Sequence, residues 1–185
     1  MKEKQRFRNN IPNIITSLRF AGTFIIIFLT PLEPLYFAVY TLTGVTDVLD
    51  GFLSRKMNAV STFGARLDSV ADLFFYSVSL IKLLPKLIAM LPQYIWIFVA
   101  AILAIRIASY IIAAVKFRRF ASHHTWLNKA TGVFVFAVPY FLVTGIGVYF
   151  CFAVCAVSLL STLEDLYIHI SSPTYDDNVK TVLPI

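Results

Sequence analysis

Eight residues in one stretch of this chain have the types and intervals of a metal-assisted phosphate site: Asp47, Asp50, Gly51, Ser54 and Arg55, then Gly64, Asp68 and Asp72. On a helix the first five fall at i, i+3, i+4, i+7 and i+8 and share one face; the last three fall at i, i+4 and i+8 and form a second stripe. The connection over 56–63 is short, so the two helices are expected to be antiparallel neighbours with their stripes facing each other. Four facing carboxylates repel unless cations lie between them. An oxygen-only donor set selects hard ions, Mg²⁺ or Mn²⁺ with Ca²⁺ as a further option, over zinc. Four carboxylates can share bridging ligands, so two ions are expected. Gly51 and Gly64 leave the helix surface bare for a bulky polar ligand. Arg55, and with it Arg66, has the fork geometry that grips phosphate oxygens. Metals, bare glycines and a guanidinium suit a pyrophosphate, and the apolar helices that carry them suit one whose other end is lipid.

Those helices belong to a chain of 185 residues, 58% hydrophobic, 15% aromatic and only 14% charged, with a mean hydropathy of +0.77. Soluble domains are about 25% charged, and disordered chains are poor in aromatics. Two cysteines inside an apolar run exclude a disulfide-stapled module. The fold class is therefore an all-α integral membrane protein of about six transmembrane helices, at about 20 residues each, preceded by a short interfacial helix. Apolar stretches run near 11–30, 35–53, 66–85, 91–116, 131–147 and 147–170. The punctuation is Pro31 and Pro34, Pro85 and Pro92, and a turn over Thr144–Gly147. One membrane domain over 1–170 and a tail over 171–185 are expected. The segment MKEKQRFRNN reads as the surface helix in the headgroup region, with no cleavable signal.

Charge gives the orientation. Twelve basic residues fall on one side of such a topology, in 2–8, 55–66, 116–129 and at Lys180, against Lys82 and Lys86 on the other. The positive-inside rule puts both termini and the aspartate cluster in the cytoplasm of a multi-pass cell-membrane protein. The net charge of +6 reads as topology and attraction to anionic lipid, with no nucleic-acid partner. Each aspartate would cost about 2.5–3.5 kcal/mol at a bilayer centre, which is why the cluster demands compensation.

The pattern D-x2-D-G-x2-A-R-x8-G-x3-D-x3-D resembles the signature of the CDP-alcohol phosphatidyltransferases, with Ser54 where that family usually has Ala. The resemblance implies transfer of a phosphatidyl group from CDP-diacylglycerol to a small alcohol, with release of CMP, in a homodimer within the bilayer. It implies Asp47, Asp50, Asp68 and Asp72 as metal ligands, Asp72 also as general base, and Gly51, Ser54, Arg55 and Gly64 against the CDP donor. The opening Asn10-Ile11-Pro12-Asn13, with Thr16 and Arg19, is similar to that of the glycerophosphate and serine branches, and adds Asn13 and Thr16 to the donor site.

Arg106, Arg118 and Lys129 supply cations for a phosphorylated acceptor, and glycerol 3-phosphate leads over serine and inositol phosphate. Glycerophosphate members typically show Arg-Glu and two lysines before the fifth span; here Ile107 follows Arg106, and Asn128–Thr131 holds one lysine. A divalent-cation transporter is the competing class, although it would place acids at the midplane and has no need of Arg55 or the glycines. His123 and His124 diverge on a helix and lack a third zinc ligand. Cys151 and Cys155 read as packing residues, and Glu164 and Asp165 as a solvated helix end.

Overall fold

In a computed structural model, backbone is described for residues 2–56, 62–118, 125–173 and 181, and side chains for that set without 2–13, 48, 50–56, 62, 63, 65 and 66. These residues form six α-helices and no strand: α1 (Lys2–Phe28), α2 (Pro34–Lys56), α3 (Thr62–Met90), α4 (Gln93–Phe117), α5 (Trp126–Leu142) and α6 (Gly147–Ser171). The chain divides into two compact units, Met1–Ala89 and Met90–Ile185. His123, His124 and most of the tail lie outside the described residues.

Leu67–Met90, Gln93–Phe117 and Gly147–Ser171 are long and apolar enough to cross a membrane, and Ile14–Phe28 is a shorter apolar helix. The protein is thus a multi-pass membrane protein. α2 is continuous but its sequence carries Asp47, Asp50, Arg55 and Lys56, and α5 has only 17 residues. Ile97, Leu103, Ile107, Ile111 and Val115 of α4 are all exposed. Such a surface would be an aggregation hazard in water but is the ordinary outer face of a helix in lipid.

Two boundaries differ from expectation. The N-terminal segment is no separate short helix, because α1 runs unbroken from Lys2 through Pro12 to Phe28. Pro85 does not end the third span, since α3 continues to Met90; Pro139 likewise lies inside α5. Apolar surroundings offer no water to freed carbonyls, so neighbouring groups re-satisfy them and proline is tolerated within membrane helices. Pro92, by contrast, is the extended N-cap of α4.

In the first unit, α1 packs along α2, and small polar residues mark the close approach. Thr23 Oγ1 donates to the Arg19 carbonyl at 2.8 Å, and Thr43 Oγ1 to that of Val39 at 2.7 Å. Both residues are buried. A Cβ on Gly22 would collide with the Thr43 hydroxyl and lie 3.3 Å from Thr43 Cβ. Small residues let membrane helices approach in this way. Gly22→Val is expected to cost about 1–3 kcal/mol by overpacking, read as a lower unfolding temperature in detergent; an unchanged temperature would show that α2 yields freely. Phe20 stacks on Phe74 at 5.9 Å and Tyr40 meets Phe75 at 5.2 Å, which brings in α3.

In the second unit, α6 packs against both α4 and α5. Tyr94 stacks on Phe152 at 5.5 Å, and Phe141 on Phe150 at 3.8 Å. The α5–α6 turn requires glycine at 147, because a Cβ there would lie 2.7 Å from the Phe141 carbonyl oxygen; one on Gly145 would meet nothing within 4 Å. Cys151 is buried and both cysteines are free, as packing residues should be.

Candidate active site

Three helices of the first unit meet at one group of charges. Asp47 comes from α2, and Asp68 and Asp72 come from successive turns of α3. One oxygen from each carboxylate lies within 4.8 Å of the others. Arg19 of α1 stands among them. Its Nη1 donates to Asp68 Oδ1 at 2.8 Å and also to Asp72 Oδ1, and its Nη2 lies 3.2 Å from Asp47 Oδ1. The guanidinium side chain is 1% exposed, whereas the carboxylates are 44%, 40% and 37% exposed. The cluster is therefore closed on the α1 side and open on the other.

The expected stripes are joined by a third helix: α1, besides α2 and α3, contributes a charge to the cluster. Asp50, Gly51, Ser54 and Arg55 follow Asp47 on α2, but their side chains, with those of Asn13 and Arg66, lie outside the described residues. Gly64 is one turn before Asp68 on α3. Thr16 is buried one turn before Arg19 on α1.

Could these residues hold a divalent ion? One guanidinium against three carboxylates leaves two negative charges unbalanced, which suits one divalent cation. An oxygen of each of the three carboxylates already lies within 4.8 Å of the others, so side-chain movement alone would gather them around one ion with bonds of about 2.1 Å. The donors are all oxygen, as hard cations prefer. The residues fit the group.

A second charged cluster lies in the other unit, between α4 and α6. Arg106 Nη2 is 3.8 Å from Asp165 Oδ2, its Nε donates to Thr162 Oγ1 at 3.3 Å and its Nη1 to Tyr110 Oη at 3.3 Å. Asp165 is only 2% exposed, and neither of its carboxylate oxygens has a hydrogen-bond partner among the described residues. Glu164 is also buried and accepts from Thr181 Oγ1 at 2.9 Å. The expected solvated helix end is thus corrected: α6 runs on to Ser171, which carries both acids inside the helix. Buried His169 pairs through Nδ1 with Ser109 Oγ at 2.7 Å, and Lys116 Nζ donates to the His169 and Ile170 carbonyls at 3.1 and 2.7 Å. That ammonium caps the C-terminal end of α6.

The other two expected acceptor residues lie at the end of α4 and on α5. Arg118 is exposed in a left-handed conformation as the C-cap of α4, twelve residues or about 18 Å of helix axis beyond Arg106. Lys129 is exposed on α5, with Nζ 5.0 Å from the Trp126 ring centre.

Apolar helices that gather three carboxylates and a buried arginine define a membrane enzyme or carrier with a carboxylate cluster that could hold a hard cation. The choice between these is made by descent: the chain belongs to the CDP-alcohol phosphatidyltransferase family, whose model matches residues 9–162. It is 40% identical over 82 residues to a CDP-diacylglycerol–glycerol-3-phosphate 3-phosphatidyltransferase of Pseudomonas fluorescens, a match covering 42% of each chain. A protein of the same name from Haemophilus influenzae is 36% identical over 101 residues, 52% of each chain. Another, from Escherichia coli K12, is 35% identical over 77 residues, 39% of this chain and 42% of that one. The matched segment thus spans about half the length of these relatives or less. No solved structure matches the chain.

Arg19 and Asp165 are the residues that sequence reasoning undervalued. A signal existed for both, since a cation inside an apolar helix needs a carboxylate partner.

Proposed function

We propose that this protein transfers the phosphatidyl group of CDP-diacylglycerol to the hydroxyl of a small alcohol and releases CMP. The observation that carries the reading is the convergence of Asp47, Asp68 and Asp72 within 4.8 Å in a chain of this family. Glycerol 3-phosphate is the proposed acceptor, since the relatives above are named for it; serine and inositol phosphate are the alternatives.

Asp47, Asp50, Asp68 and Asp72 hold Mg²⁺ or Mn²⁺, with two ions proposed. Asp50 and the donor's own diphosphate would supply the negative charge that a second ion needs. When bound, the ions neutralise charge on the pyrophosphate and on the departing CMP. Gly51, Ser54, Arg55, Gly64, Asn13 and Thr16 bind and orient the donor. Asp72 takes the proton of the acceptor hydroxyl as its oxygen attacks the β-phosphorus. Arg106, Arg118 and Lys129 attract a phosphorylated acceptor. A cytoplasmic site with both termini on the same side of the cell membrane is proposed, and the distribution of basic residues supports it. A homodimer is proposed from family membership.

The test is CMP release by detergent-purified protein supplied with CDP-diacylglycerol, Mg²⁺ or Mn²⁺, and one acceptor at a time. Release is expected with glycerol 3-phosphate and is expected to stop in EDTA. Release with serine or inositol phosphate instead would replace the acceptor. None with any acceptor, while Mn²⁺ still binds, would overturn the transferase reading.

A further inference from the structure

Arg19 has no part in the transfer chemistry above, yet it is the most enclosed member of the cluster. It cannot be a phosphate-gripping residue in this arrangement, because both terminal nitrogens are turned to carboxylates: Nη2 lies 3.2 Å from Asp47, and Nη1 2.8 Å from Asp68 and also against Asp72. Nor is it a topology charge, since it is fully buried in the apolar part of α1. It sits on the same three carboxylates whose oxygens converge as a metal-ligand set. A fixed positive charge and a divalent cation that share anions a few ångströms apart repel each other, and burial of the guanidinium weakens the screening.

We propose that Arg19 is a tethered competitor of the divalent cation: it balances the aspartates while no metal is bound and holds the affinity of the site for metal down. The inference rests on the metal reading of the cluster. Arg19 is a positioning residue in this role, acting through the aspartates. It lets three acids be built into apolar helices before metal arrives, and it leaves a negative surplus too small to hold two divalent ions tightly unless a negatively charged diphosphate is present. Metal loading is thereby tied to donor binding.

The test uses the full chain in detergent, with Mn²⁺ binding followed by loss of the free-ion EPR signal and thermal unfolding measured in EDTA. Arg19→Gln is expected to bind Mn²⁺ about ten-fold or more tightly than wild type, and to unfold at a lower temperature in EDTA with a larger rise on adding Mn²⁺. Arg19→Lys keeps the charge but, as a point cation, cannot bridge Asp47 and Asp68 together, so its affinity should fall between the two. If Arg19→Gln does not fold without metal, Arg19→Lys decides alone. Affinity equal to or weaker than wild type in the variant measured would overturn the proposal while leaving the metal site standing. No Mn²⁺ binding by wild type or variant would overturn the metal reading itself, and this inference with it.

Discussion

Asp72→Asn is expected to lower the turnover of CMP release by about 10²–10⁴-fold while leaving metal-dependent binding of the CDP donor within a few-fold of wild type. The amide keeps the size of the carboxylate and an oxygen that can accept from Arg19 Nη1, as Asp72 Oδ1 does. Asp47 and Asp68 remain to hold the guanidinium and the ion. What the substitution removes is the one group proposed to accept the acceptor's proton. Turnover and donor affinity must therefore be measured on the same preparation. A parallel loss of donor binding would make Asp72 first of all a metal ligand and would sink its assignment as base.

The second large effect concerns stability. Arg106→Met should destabilise the protein by about 3–5 kcal/mol, the range for stripping the partner from a buried charge. Asp165 is almost wholly enclosed and has Arg106 as its ion-pair partner. Replacing both, Arg106→Met with Asp165→Leu, should recover most of the loss, because an apolar pair of similar volume can match a buried ion pair. If Arg106 also attracts a phosphorylated acceptor, the double variant will regain its unfolding temperature but keep a raised acceptor KM. Unfolding of Arg106→Met at the wild-type temperature would show that Asp165 is satisfied by other means.

These two clusters mark how far the sequence could be read. Asp47, Asp68 and Asp72 were legible because the 3.6-residue period puts them on helix faces and because acids in apolar helices demand a reason. The order and type of the six helices were legible from hydropathy alone. Which helix supplies the neutralising charge was not, since spacing along one helix carries no information about partners 49 or 53 residues away. Asp165 was misread because its neighbour in sequence is a polar tail, whereas its neighbour in space is Arg106. Pro85 was misread for a related reason: the rule that proline ends helices assumes water is ready to take the freed carbonyls, and a membrane helix has none.

The placement of Arg19 also bears on how the protein is made. Asp68 is synthesised 49 residues after Arg19 and Asp72 53 residues after it, so at about 5–20 residues per second several seconds pass before α1 can be neutralised from α3. During that interval Asp47 of α2, made before α3, is the carboxylate of the cluster within reach of Arg19. A chain stopped before residue 68 can pair Arg19 with Asp47 alone, so the ion pairs of the first unit are complete only once α3 has been made.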